Sequence, residues 1–187
     1  LVFQTKGNHQ REVSYATVVL ALIEAFYLSL VTFVVNIFAK QPSPVADGFG
    51  LNPLLQNFGM LVHPPLLYLG FAGFAVVFAL VMAALFTRNT TMWQGSLTRR
   101  WAFFAWGALG IGNIVGMWWS YNELGWGGYW AWDPVENAGL MPWLLGTAFL
   151  HSLAMLRRRG RFKVWTYCLI AFTFVFKIGR ASVRERL

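Results

Sequence analysis

Apolar residues in this chain come in long runs and do not alternate with polar ones. Five stretches stand out, at about 14–39, 58–86, 101–121, 138–156 and 162–178. Polar, charged, Gly and Pro residues collect between them. About 20 apolar residues on a helix rising 1.5 Å each cross a hydrocarbon core of about 30 Å. Only helices and closed barrels satisfy their backbone in lipid, and continuous runs of this length are helical. The pattern therefore predicts an all-α fold: a polytopic integral membrane helix bundle with about five transmembrane helices. The first run is too long for the apolar region of a signal peptide.

Lysine and arginine orient the bundle. Arg88, Arg99 and Arg100 follow the second run, and Arg157, Arg158, Arg159, Arg161 and Lys163 follow the fourth. With Lys6 and Arg11 they fall on one side of five alternating spans, which the positive-inside rule makes cytoplasmic. The loops 40–57 and 122–137 fall on the other side and carry Asp47, Glu123, Asp133 and Glu136 but a single lysine. This divides the chain into a cytoplasmic stub, 1–13, a membrane domain, 14–179, and a basic tail, 180–187. The tail's Arg180, Arg184 and Arg186 land on the wrong side in this topology. Either the tail is not native, or the fifth span does not cross alone, or the chain is cut before a further span; the last is the expectation.

Composition agrees. Of 187 residues 57% are apolar and 12% charged, against about 25% charged in a soluble domain. The net charge of +8 sits in clusters between spans, not on the continuous surface that phosphate backbones require, so no nucleic-acid role is expected. The lone Cys168 allows neither an internal disulfide nor a CxxC motif.

The densest chemistry is the stretch 118–137, with five Trp and two Tyr. An interfacial aromatic belt accounts for Trp118 and Trp119. It accounts poorly for Trp126, Trp130 and Trp132, which are interleaved with Gly125, Gly127 and Gly128. Flat aromatic faces beside a backbone freed by glycine suit a large planar apolar ligand. Asp133, Pro134 and Glu136 also read as a helix start, with Asp at N-cap, Pro at N1 and Glu at N3. The two readings are compatible: the fourth span begins at this loop. Pro142 either kinks that helix or marks its true start.

Two histidines lie near or in the spans. His63 precedes Pro64 and Pro65, which fit a first helical turn, so a helix is expected to start at about Pro64 with His63 at its outer end. His63 is open to two readings, an interfacial cap or an axial haem ligand. His151 lies roughly 20 Å below the loop at 1.5 Å per residue. There it is either hydrogen-bonded to a neighbouring helix or functional. The difference in depth argues against one iron bound by both. Glu24 in the first span is expected to make a packing or partner contact. Gly112 and Gly116 form a GxxxG pair that permits close helix contact, and Asn113 beside it is positioned to hydrogen-bond across helices.

The stretch from Trp126 through Asn137, WGGYWAWDPVEN, resembles the tryptophan-rich WWD signature of haem-handling membrane proteins in cytochrome c maturation, a family that includes CcmF-, CcmC- and CcsA-type proteins. Asn52-Pro53-Leu54-Leu55-Gln56 followed by His63-Pro64-Pro65-Leu66-Leu67-Tyr68 is similar to the CcmF-type pattern. The resemblance covers about residues 40–175. It implies haem b as cofactor, with His63 an axial ligand at the WWD loop and His151 a ligand to a haem within the membrane. It also implies a macrocycle site at Trp119, Trp126, Gly127, Gly128, Trp130, Trp132 and Asp133. Implied partners are haem, apocytochrome c, a haem chaperone, other maturation subunits and membrane lipid. The implied location is the inner membrane with the loop on the periplasmic or extracytoplasmic side. The role would be a component of a cytochrome c haem lyase. The second ligand of each site has no match here. No nucleophile or acid–base pair is assigned. The alternatives are a b-type electron-transfer subunit using His151, a haem exporter of the same family, or a transporter with an aromatic cage. The last should show repeated, broken helices, and no internal repeat is found.

Overall fold

The computed structural model describes residues 10–35, 47, 48, 50–88, 95–125, 127–160 and 162–183, without the side chains of 35 and 177–183. Among these residues five α-helices follow one another: α1 (Gln10–Ser29), α2 (Phe58–Phe86), α3 (Ser96–Glu123), α4 (Pro134–Arg159) and α5 (Lys163–Val183). α1 runs on into a π-helical turn, Leu30–Val35, and a 3-10 turn, Pro53–Leu55, precedes α2. The first four are long and apolar enough to cross a membrane, and α5 is apolar over Lys163–Phe176. The chain is an all-α, multi-pass membrane protein.

Helix ends depart from the expected positions for local reasons. α1 is already helical at Gln10, inside the expected stub, because Glu12 and Val13 bury against the bundle. α2 starts at Phe58, not at Pro64. Asn57 caps it, its side chain accepting the Gly59 N–H at 2.6 Å, and the two prolines sit inside the helix, with His63 one and a half turns in. α4 starts at Pro134 with Asp133 as N-cap, which leaves Pro142 buried within the helix. α5 continues past 178 to Val183, since no proline interrupts it. Arg180 thus belongs to a helix, not to a tail; residues 184–187, like Trp126, Arg161 and His9, lie outside the described residues.

α2 is the axis. Its most apolar window is 61% buried, against 28% in α3, as expected of a helix apolar on all faces. Its antiparallel pairing with α3 rests on small residues. A Cβ added at Gly73 would meet Ala105 at 2.7 Å, at Gly70 Leu109 at 2.6 Å, and at Gly59 Trp119 at 2.9 Å. From the other side Gly112 lies under Leu66 and Leu67, and Gly116 under His63. With little hydrophobic driving force between helices in lipid, such close approach provides the dispersion contacts that associate them.

Beyond this seam Leu67, Phe71, Phe74, Val77 and Val81 of α2 pack with Leu109 of α3, Phe149 and Leu153 of α4 and Ile170 of α5. Gly146 of α4 admits the Phe74 ring. The Ser152 and Thr166 hydroxyls join α4 to α5 at 2.7 Å. α1 meets α2 through Val13 and Ala16 against Ala79, Leu80 and Ala83, with Val19, Leu20 and Val76 packed around them. Its remaining length leaves Leu22, Phe26 and Leu28 exposed, with Glu24 exposed beside them.

Gly70→Ala forces a methyl to within 2.8 Å of the Leu109 backbone nitrogen, which cannot step aside. It should destabilise the protein by about 1–3 kcal/mol. Gly107→Ala, with nothing within 4 Å, should be neutral or stabilising by up to about 1 kcal/mol. Unfolding in detergent followed by circular dichroism checks both.

Candidate functional site

His63 is held by the α2–α3 seam. Its Nδ1 lies 2.7 Å from the Gly112 carbonyl oxygen. A carbonyl only accepts, so Nδ1 carries the proton and the lone pair of a neutral ring lies on Nε2. In a helix each Cβ tilts toward the N-terminus and covers the turn before it. Gly116 has none: a Cβ there would fall 2.5 Å from the His63 Cε1. The GxxxG pair therefore does two things. Gly112 lets the helices meet, and Gly116 opens a path from the imidazole to the Gly112 carbonyl.

The tryptophan loop is tied to the start of α4 by one carboxylate. Asp133 caps the helix, accepting the Glu136 N–H at 2.6 Å. Glu136 reaches back and accepts the Ala131 N–H at 2.6 Å and the Trp132 N–H at 3.0 Å. Asn137 donates to the Trp132 carbonyl at 3.0 Å. Between these ties Trp132 takes φ +58°, a conformation bulky residues avoid and which must be held by its surroundings. Its ring meets Trp130 edge-on, centroids 6.3 Å apart.

The other end of the loop is tied as well. Gly127 has φ +76°, and Gly128 offers its carbonyl to Ser120 Oγ at 3.5 Å. Tyr121 stacks on Tyr129 at 4.5 Å. Trp119 donates its indole N–H to the Leu54 carbonyl at 3.2 Å, and Asn57 donates to Glu123 at 2.6 Å. These bonds lock the α2 entry, the α3 exit and the loop together.

Two pockets result, which share Trp130, Asn113 and Met117. One, about 140 Å³, is lined by His63, Trp119, Trp130 and Asp133 together with Asn113 and Glu136. The other, about 380 Å³, is lined by Trp130, Trp132, Trp143, Ile114, Met117 and Leu140. The structure thus joins His63, Trp119, Trp130 and Asp133, and joins Trp130 with Trp132. Gly127 and Gly128 line neither pocket; they shape the loop. The Trp130 and Trp143 indole N–H groups are buried with no partner among the described residues.

His151 stands apart. It is exposed on α4, and its Nδ1 donates to the Thr147 carbonyl one turn back at 2.8 Å. Measured along the helices from the aromatic end, His63 lies roughly 8 Å in and His151 roughly 26 Å at 1.5 Å per residue. No pocket described above includes both.

The family model described as "Cytochrome C assembly protein" matches residues 2–178. The chain belongs to the cytochrome c assembly protein family. Among curated members of that family, CcmF of Pseudomonas fluorescens is 48% identical over 157 residues, covering 83% of this chain and 24% of that protein. The biogenesis protein NrfE of Haemophilus influenzae is 43% identical over 174 residues, 92% of this chain and 27% of that protein. A solved structure titled cytochrome c heme lyase CcmF matches with a TM-score of 0.73 and 40% identity, over 90% of this chain and 26% of that chain. The chain spans about a quarter of the length of these assembly proteins.

Within this member of the cytochrome c assembly family, some pocket residues escaped the sequence reading. Trp143 pairs with Trp106 in a stack 5.6 Å apart, and Trp106 donates to Thr147 at 2.8 Å. Gly110, Asn113, Ile114 and Met117 share one face of α3 with helical spacing, a signal that was present. Asn113 does bridge helices, donating to the Gly139 carbonyl at 3.5 Å.

Asp133→Ala should cost about 1 kcal/mol of stability through the lost cap, and Asp133→Asn only a few tenths. Glu136→Ala should loosen the loop itself. It should raise the rate of limited proteolysis at residues 125–133 while the helix content seen by circular dichroism stays constant. An unchanged cleavage rate would contradict the clamp.

Proposed function

We propose that this chain is a haem-handling membrane segment of a CcmF-type protein, acting in cytochrome c maturation. In this reading it holds haem b at the aromatic end of the bundle and presents it to the CxxCH thiols of apocytochrome c. The observation that carries the reading is the imidazole of His63, its Nδ1 held 2.7 Å from the Gly112 carbonyl oxygen, lining one pocket with Trp119 and Trp130.

The residues fit such a ligand. Trp130, Trp132, Met117 and Ile114 offer an apolar face, and the pocket of about 380 Å³ lies in the range of small-molecule sites, about 300–1,000 Å³. The Trp130 N–H, buried and unpartnered among the described residues, is a donor left for a ligand acceptor. Haem, when bound, supplies vinyl groups open to thiol addition and an iron that takes an imidazole nitrogen. The chain's own work is positioning. Gly112 fixes the His63 tautomer, Glu136 fixes the loop, and Trp119 is pinned to Leu54 beside the imidazole.

His151 fits a second haem within the membrane. Its ring is exposed on a membrane-spanning helix, where a polar group requires a partner. A ligand from outside the described residues would complete that site, as one would complete the site at His63. The inner membrane, with the loop extracytoplasmic, is the location that the arginine clusters support. A haem chaperone and other maturation subunits are the partners of this reading.

Single substitutions in the intact protein test it. His63→Ala should abolish covalent haem attachment to a reporter cytochrome c while leaving the optical signature of the His151 haem. Gly116→Ala, which keeps His63 but displaces its ring, should lower haem affinity at the loop about 10–100-fold, as loss of an orienting partner does. If His63→Ala still matures cytochrome c and only His151→Ala loses haem absorption, the protein is instead a b-type electron-transfer subunit.

A further inference from the structure

A third pocket lies at the opposite end of the α3–α4 seam. Near the aromatic end the two helices touch through Asn113 with Gly139, Gly110 with Trp143, and Trp106 with Thr147. Toward the basic end the seam opens into a pocket of about 390 Å³ lined by Arg99, Phe103, Leu150, Leu153, Ala154, Arg157 and Arg158. Its chemistry is graded. Three arginines line it, from the first turn of α3 and the last turn of α4, beside the apolar side chains that follow them into the spans.

The arginines have ordinary duties. They anchor topology, and Arg157 and Arg158 complement the negative end of the α4 dipole. Neither duty requires Arg99 to converge on them across the seam. Among the described residues no carboxylate is shown pairing with Arg99, Arg157 or Arg158. Three like charges at one rim repel unless an anion joins them. Guanidinium forks match phosphate oxygens in two-point fashion.

We propose that this pocket binds an anionic phospholipid, its headgroup phosphate between Arg99, Arg157 and Arg158 and an acyl chain along Phe103, Leu150 and Ala154. A soluble phosphate satisfies the arginines but leaves the apolar wall unused. Phe103 is 55% exposed at the level where α3 enters the membrane, which is where an acyl chain begins. A basic pocket between transmembrane helices at the interface is a recurrent form of headgroup site.

The test is native mass spectrometry of the purified protein in detergent, incubated with phosphatidylglycerol or phosphatidylcholine. Phosphatidylglycerol should be retained under activation that strips phosphatidylcholine. The combined Arg99→Gln, Arg157→Gln, Arg158→Gln variant should lower its occupancy on the order of tenfold. Ala154→Trp should do the same by filling the apolar wall with all three arginines and the topology signal intact, so a misfolded glutamine variant leaves the idea testable. Equal retention of the two lipids, unchanged phosphatidylglycerol binding by Ala154→Trp, or full displacement by millimolar inorganic phosphate overturns it.

Discussion

The close approach of α2 and α3 is the constraint on which the rest depends. Gly59, Gly70 and Gly73 on one helix and Gly112 and Gly116 on the other leave no room for side chains between the backbones. That distance is what brings an imidazole from one helix to a main-chain carbonyl of the next at 2.7 Å. A glycine seam is usually read as an association device. Here its last two steps also fix a tautomer. The seam serves stability along α2 and chemistry at one end, and no side chain beyond His63 itself is needed for the second.

The same economy governs the loop. Asp133 and Glu136 look from their spacing like a capping box, and they are one. Glu136 reaches beyond the cap residue as well: it takes the N–H groups of Ala131 and Trp132. The helix start thereby becomes the clamp that holds Trp132 at a positive φ. Trp130 and Trp132, edge to face, are displayed by a helix terminus instead of a free loop. A tryptophan pair with a fixed geometry loses less entropy on meeting a flat ligand than one on a mobile segment.

The number and type of helices were legible because run length against bilayer thickness is a coarse, robust signal. Ends were less so. Two prolines after His63 read as a first turn, but the Asn57 cap and the packing of Gly59 under Trp119 start the helix earlier. Those are tertiary contacts that periodicity does not contain. Of the residues that the sequence points to for a haem site, His63, Trp119, Trp130 and Asp133 line one pocket, while His151 stands apart. Trp143 and Met117 were not named, because in an apolar helix a ligand-facing residue and a lipid-facing one have the same composition. Gly127 and Gly128 were named for contact with a ligand, whereas their visible effect is on the path of the loop.

The two histidines show how differently one chain can prepare two sites. His63 has its orienting acceptor on another helix, 49 residues away in sequence, so its geometry is a property of the folded pair. His151 takes its acceptor from its own helix one turn back and faces away from the core, so its tautomer is set locally and its surroundings are not. A site of the first kind is rigid before anything binds. A site of the second kind waits for a neighbouring surface to close it. In the proposed reading that asymmetry fits a division of labour in which the aromatic end positions a transient cargo and His151 makes a lasting contact within the membrane.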